Sequence, residues 1–193
     1  MSDLPAQTLA NKSPRLWLGA CALGLGLCAA LKAVAAEPSH PNAPLPCTLE
    51  PGPTRTVTRI IDAETVLLDN GSELRLAGTL APRARDGGAS AGTWPPEEAA
   101  KAALATLVLG KSVGIAFGTR SRDRYDRLVG HLFTGDLPTR VWVQGEMLAD
   151  GHARAYILPG DGGCISELSA HERMARGAGE GLWSARIYAP RSA

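Results

Sequence analysis

Short runs dense in β-branched and aliphatic residues come first, and segments whose apolar residues return at helical spacing follow them. Thr56-Val57-Thr58-Arg59-Ile60-Ile61 and Thr65-Val66-Leu67-Leu68 read as two strands. Asp69-Asn70-Gly71-Ser72 then predicts a hairpin turn, with Asn-Gly supplying positive φ. In the third strand, Glu73–Gly78, alternation sends Leu74 and Leu76 to one face and Glu73, Arg75 and Ala77 to the other. Residues 83–94, with Gly87, Gly88 and Gly92, predict a loop. Pro95 and Pro96 open a helix, and Glu97 and Glu98 sit in its first turn, where the macrodipole favours acid. Its apolar stripe is Ala99, Ala102, Leu104 and Leu107, and Gly110 ends it. Ser112–Phe117 and Leu128–Phe133 read as strands four and five. Arg140–Asp150, stopped by Gly151, and Ser166–Arg176, closed by Gly177-Ala178-Gly179, read as two further helices. The fold class is α+β, mainly β.

The N-terminus has a different pattern. Lys12 and Arg15 precede an uninterrupted apolar run over residues 16–31, and Ala33-Val34-Ala35-Ala36 follows. A positive start, an apolar stretch and small residues make an export signal cleaved near 35 or 36. The same run, uncleaved, is an N-terminal membrane anchor with its positive end in the cytoplasm. Both readings put the folded part outside the cytoplasm, periplasmic or extracellular, and only this segment meets a membrane. Residues 37–54 carry Pro38, Pro41, Pro44, Pro46, Pro51 and Pro53 and read as a linker. The domain is expected over 55–185, with a tail at 186–193.

Of four cysteines, Cys21 and Cys28 lie inside the apolar run, which leaves Cys47 and Cys164. In an oxidising compartment two cysteines suggest one disulfide, and two unpaired thiols are the alternative. Closing so long a loop contributes about 4 kcal/mol in the chain-entropy model. There is no Cys-x-x-Cys and no His pair, so no zinc site is indicated. Net charge is +1 and aromatic content 5%, which argues against tight non-specific binding of nucleic acid. Charge is concentrated locally, with four arginines against two aspartates over residues 119–127.

Five ordered pieces carry a resemblance: Ile61-Asp62-Ala63-Glu64-Thr65-Val66, the turn from Arg75 to Pro82, Asp123-Arg124-Tyr125-Asp126-Arg127-Leu128, Gln144-Gly145-Glu146-Met147-Leu148-Ala149, and Gly181-Leu182-Trp183-Ser184. Their order and spacing resemble the staphylococcal-type thermonucleases, Ca²⁺-dependent phosphodiesterases. The resemblance implies a five-stranded OB-fold barrel carrying three helices. It also implies a site in which a dication and two arginines stabilise charge on phosphorus while a carboxylate activates water, electrostatic preorganisation being the usual largest catalytic contribution.

On that resemblance Glu64 falls at a metal-ligand carboxylate, one methylene longer than the family's aspartate. Ala63 replaces the family's glycine. Arg75 and Arg127 fall at the two phosphate-contacting arginines, whose planar forks suit phosphate. Leu80 stands where a metal-ligand aspartate belongs, and Arg83 where the glutamate proposed as general base belongs. A hard dication needs oxygen ligands, which leucine lacks, and arginine repels the ion. Losing a general base commonly costs about 10²–10⁴-fold in rate. Asp86, on the glycine-rich loop, is the residue best placed in sequence to rebuild a ligand set; Asp62 and Glu73 are also near. Arg75, Arg83 and Arg127 instead suggest an anion pocket, and Arg83 paired with Glu64 is the alternative. His131, in an apolar strand, reads as packing, and neither His152 nor His171 has metal or triad spacing. Trp142 and Trp183 read as packing residues, and Tyr125 as an aromatic that can lie against a nucleobase.

Three functions follow as expectations. The first is an exported, catalytically degenerate thermonuclease-like protein that binds an anionic ligand, such as a nucleotide or nucleic acid, or a protein partner, with no cofactor. The second is an active metal-dependent phosphodiesterase using Glu64, Arg75, Arg127 and Asp86, with Ca²⁺ bound only if the site is rebuilt. The third is a structural envelope module.

Overall fold

The structure, a computed structural model, describes residues 45–84, 94–136, 139–156, 162–185 and Tyr188. The expected signal or anchor, the first part of the linker, Asp86 and nearly all of the tail lie outside the described residues. The chain divides between Glu37 and Pro38, and every described residue lies in the second unit. Among the described residues no helix is long and apolar enough to cross a membrane.

The strands are β1 (Glu50–Asp62), β2 (Thr65–Leu68), β3 (Glu73–Leu76), β4 (Thr79–Leu80), β5 (Ser112–Phe117), β6 (Leu128–Thr134), β7 (Val141–Trp142) and β8 (Arg154–Ala155). The helices are α1 (Pro95–Val108), α2 (Val143–Ala149) and α3 (Ile165–Ala178). Hydrogen-bonded neighbours run β3-β2-β1-β5-β6-β7, and a parallel β3–β6 pairing closes the sheet. This is the expected barrel of five strands with three helices. The short β4–β8 pair and β7 are additions to it.

The predicted bounds of β2 and β5 agree with the structure, β6 and α3 run slightly longer than predicted, and three other elements and one turn differ for physical reasons. β1 begins at Glu50, inside the stretch whose prolines suggested a linker. The ladder tolerates Pro51 and Pro53 because the β1–β5 register shifts between Pro51 and Thr54. β3 ends at Leu76, where Ala77 and Gly78 turn and Gly78 takes φ +71°. In the β2–β3 hairpin only Gly71 has positive φ, at +80°. Leu68 accepts from the Gly71 amide, so Asn70 stays in an ordinary turn conformation and Gly71 alone supplies the left-handed residue. Val141 and Trp142 pair with Thr134 and Phe133 before α2 starts, which shortens the predicted helix.

Val57, Val66, Leu68, Leu74, Leu76, Val113 and Leu132 fill the barrel, each almost wholly buried. The stripe of α1 facing them is Ala100, Leu104 and Val108, four residues apart, while Ala99 and Ala102 are exposed. Alanine-rich helices hide their facing, because alanine is compatible with either side. α2 adds Val143, Met147 and Leu148, and α3 adds Leu168. Gln144 is fully buried. Its Nε2 donates to the Gly130 carbonyl at 2.9 Å, and its Oε1 accepts the Leu132 amide at 3.1 Å. It thereby serves the β6 backbone just where the β3 pairing ends at Leu76↔Gly130.

Gly151 (φ +68°) and Gly181 (φ +48°) lock the end of α2 to the C-terminal turn, with the Leu182 amide donating to the Gly151 carbonyl at 2.8 Å. A Cβ on Gly151 would lie 2.3 Å from the Glu180 carbonyl oxygen, whereas one on Gly110 (φ +72°) would meet nothing within 4 Å. Gly151→Ala is therefore expected to cost about 3 kcal/mol by urea unfolding, and Gly110→Ala about 1 kcal/mol, the strain of a left-handed alanine alone. Equal losses would mean that the close backbone approach contributes nothing.

His131 is 4% exposed, and its Nδ1 accepts the Trp142 indole N–H at 3.2 Å. Burial lowers its pKa from 6.5 to about 4. The unfolded chain takes the proton first, so stability is fully present above pH 6.5 and is lost as pH falls from 6.5 towards about 4. The expected loss is about 3 kcal/mol across that window. His131→Phe should flatten the stability curve by that amount; identical curves for parent and variant would refute the assignment.

Candidate functional site

Glu64 ends the turn between β1 and β2 and is 2% exposed. The turn forms because the Asp62 carboxylate accepts the Glu64 amide at 2.8 Å, which occupies one Asp62 oxygen locally. The Glu64 carboxylate has three donors. The Arg83 guanidinium bonds Oε1, and Arg75 Nη2 lies 3.4 Å from Oε2. The Ala81 amide also reaches Oε2 at 3.4 Å. Both carboxylate oxygens are therefore committed to cations and a backbone donor.

The turn bearing Leu80 and Arg83 is held at both ends. The Ala84 amide donates to Glu97 of α1 at 2.7 Å, so a residue expected only to complement the helix dipole also anchors this turn. Leu80 is half-buried and pairs with Arg154 of β8. It presents no oxygen from its side chain. Among the described residues no three His, Cys, Asp or Glu side chains are grouped so as to hold a metal ion. The donor set is one carboxylate between two guanidiniums, and it does not fit a hard dication.

Arg75 and Arg127 reach one face by register. Arg75 pairs with Val129 across the parallel β3–β6 contact, and Arg127 lies two residues before Val129, so side-chain alternation gives all three the same outward direction. Arg127 is held by Asp123, with Nε at 2.8 Å and Nη2 at 2.7 Å from Oδ2. The other Asp123 oxygen accepts the Tyr125 and Arg127 amides at 2.8 and 3.1 Å. Burial pushes the Asp123 carboxyl up, but the Arg127 side-chain bond and the two amides outweigh it and hold the group below the ordinary carboxylate value. Asp126 takes φ +62°, the one non-glycine residue with positive φ among those described, and Arg122 bonds both its carbonyl and its carboxylate.

Tyr125 is 65% exposed, with the Arg124 guanidinium 4.8 Å and the Arg127 guanidinium 5.5 Å from its ring centre. A recess lined by Arg75, Thr79, Arg120, Asp123, Val129 and Tyr156 joins the β3 side of the site to this loop. The structure thus links Glu64, Arg75 and Arg83 in one ion-paired group, with Arg127 across the recess, held by Asp123. Arg120 and Tyr156 were missed from sequence. Tyr156 follows two short-strand residues and has no motif of its own, while Arg120 was visible only as part of a charge run.

A closed five-stranded barrel with a parallel closing pair, three helices and this face of arginines has the architecture of OB-fold nucleases. The family model described as staphylococcal nuclease homologue matches residues 73–185, more than half of the chain, and the chain belongs to that family. Arg75, Leu80, Arg83 and Arg127 lie within the match, and Glu64 precedes it. No curated protein matches the chain.

Removing the Glu64 charge leaves Arg75 and Arg83 facing each other without their shared partner. Glu64→Gln is expected to lower stability by about 3 kcal/mol in urea unfolding, as for other broken buried ion pairs. A change within about 0.5 kcal/mol, the range of ordinary surface substitutions, would make the carboxylate structurally dispensable.

Proposed function

We propose that this chain is an exported, catalytically degenerate member of the nuclease family that binds an anionic ligand at the face carrying Arg75, Arg83 and Arg127, without a cofactor. The carrying observation is that both Glu64 oxygens are engaged by guanidinium groups. A dication entering there would have to displace Arg83 and sit beside two positive charges. With a leucine and an arginine at the other family positions, the described residues supply neither the metal ligands nor the water-activating carboxylate.

The arginines retain capacity for an anion. A guanidinium has five N–H donors, and Arg75 spends few of them on Glu64. Arg75, Arg83, Arg120, Arg122, Arg124 and Arg127 outnumber Glu64, Asp123 and Asp126 by three positive charges in this region. Tyr156 lines the recess and Tyr125 is exposed on the loop that supplies Arg120 and Asp123 to it, which favours a nucleotide-like ligand over a bare ion. Export is supported by the N-terminal pattern and by the Cys47–Cys164 bridge, which suits an oxidising compartment.

Calorimetric titration with thymidine 3′,5′-bisphosphate, with and without Ca²⁺, tests the reading. Metal-independent binding is expected, weakened about tenfold or more by Arg127→Ala, the usual loss for a charge-assisted bond. No hydrolysis of DNA is expected in Ca²⁺. Binding that requires Ca²⁺, or metal-dependent cleavage, would restore the active-enzyme reading; no binding of the bisphosphate at all would sink the anion site.

A further inference from the structure

The loop Gly118–Arg127, which carries Arg120, Arg122, Arg124, Arg127 and Tyr125, leaves the end of β5, where the pairing with β1 is interrupted while that with β6 continues to Ala116↔His131. There β1 meets β5 through Glu50↔Phe117 and Pro51↔Ala116, and the register then shifts before pairing resumes at Thr54↔Gly114. Pro51 and Pro53 have no amide hydrogen to give the ladder. The two outer pairs are thus cut off from the main ladder. Within itself the loop is well braced. Asp123 gathers the Tyr125 and Arg127 amides, the Asp126 amide donates to the Asp123 carbonyl, and the Val129 amide donates to the Ser121 carbonyl. Such a unit keeps its shape; its Arg127 end follows the β3–β6 register, and the placement of its Gly118–Arg120 end depends on where Gly118 is held.

Gly118 is held from behind by the segment next to the disulfide. Cys47 and Cys164 are bridged, with their Cα atoms 5.2 Å apart. A Cβ on Gly163 would lie 3.0 Å from the Thr48 carbonyl oxygen and 3.9 Å from the Gly118 Cα, and one on Gly118 would lie 4.0 Å from Leu49 Cδ2. Leu49 is 8% exposed. Three backbone segments meet here with glycines at the contact. A recess lined by Cys164, Gly163, Gly118, Thr119 and Arg120 shares Ala77, Gly78, Arg120 and Val129 with the recess that holds Arg75, Asp123 and Tyr156. The bridge and the arginine face are two ends of one continuous packing path.

We propose that the Cys47–Cys164 disulfide is a positioning clamp for the ligand loop. It presses Thr48 and Leu49 against Gly118 and Gly163, and so sets the distance between Arg120 at the start of the loop and Arg75 on β3. As a statement about affinity, this rests on the anion-binding reading of the arginine face; as a statement about loop placement, it stands apart from that reading.

Amide hydrogen exchange on the parent, on Cys47→Ser/Cys164→Ser and on Leu49→Ala tests it, paired with calorimetric titration of thymidine 3′,5′-bisphosphate. In the double variant the Val129 amide, which donates to the Ser121 carbonyl near the start of the loop, is expected to exchange about tenfold faster, while the Tyr125 and Arg127 amides, bonded within the braced turn, and the Leu68 and Leu76 amides keep their rates. The bisphosphate Kd is expected to weaken about tenfold. Unchanged exchange at the Val129 amide overturns the clamp. If the parent does not bind the bisphosphate, the ligand reading fails, and the exchange data still decide the clamp. If the double variant loses protection everywhere, Leu49→Ala with the bridge intact must accelerate the Val129 amide, and its failure to do so overturns the proposal.

Discussion

Glu64 is a carboxylate buried in the wall of the barrel, and much of the site follows from compensating it. A buried charge left unpaired costs several kcal/mol, so groups around it are arranged to donate. Arg75 comes from β3, Arg83 from the turn after β4, and the Ala81 amide from the same turn. Glu97 of α1 then fixes that turn from the other end. One charge therefore ties two strands, a turn and a helix together. In a nuclease of this fold a metal would take part in that compensation; here a guanidinium does it.

The closing of the barrel gives the arrangement its second requirement. The parallel β3–β6 contact brings Arg75 into line with Val129 and puts Arg127 on the same side. The turn between β5 and β6 then overhangs the face with its arginines and Tyr125. Asp123 shapes that turn internally, its Arg127 end continues into β6, and its Gly118 end packs beside the bridged Cys47–Cys164 region. Buried polar groups do similar work elsewhere: Gln144 serves the β6 backbone where a strand partner runs out, and His131 anchors the Trp142 indole.

The parts that build the barrel are those a nuclease needs, from the hydrophobic faces of the strands to the Gln-Gly start of α2. At the positions where the resemblance implies a metal-ligand aspartate and a general-base glutamate, this chain has Leu80 and Arg83. Family membership says what the scaffold is, and the side chains at those positions argue for a different use of it.

The local physics of the strands was legible in the sequence. Alternation identified the buried face of β3, β-branched density delimited β2 and β5, and the small-residue spacing around Gly110, Gly151 and Gly179 located the helix ends. The two departures in the Leu80–Arg83 turn could also be read directly, because a leucine cannot offer an oxygen and an arginine cannot act as a carboxylate. What the sequence left open depended on partners distant along the chain. The strand role of Glu50–Thr54 was hidden by prolines that only a register shift against β5 could accommodate. The facing of α1 was hidden because alanine is neutral to burial. The choice between an open arginine pocket and an Arg83–Glu64 pair lay between residues nineteen apart, and Arg120 and Tyr156 came to the recess from separate segments. Periodicity reports what each segment prefers by itself, whereas the compensation of a buried charge and the sharing of a recess are decided only when the barrel closes and the segments meet.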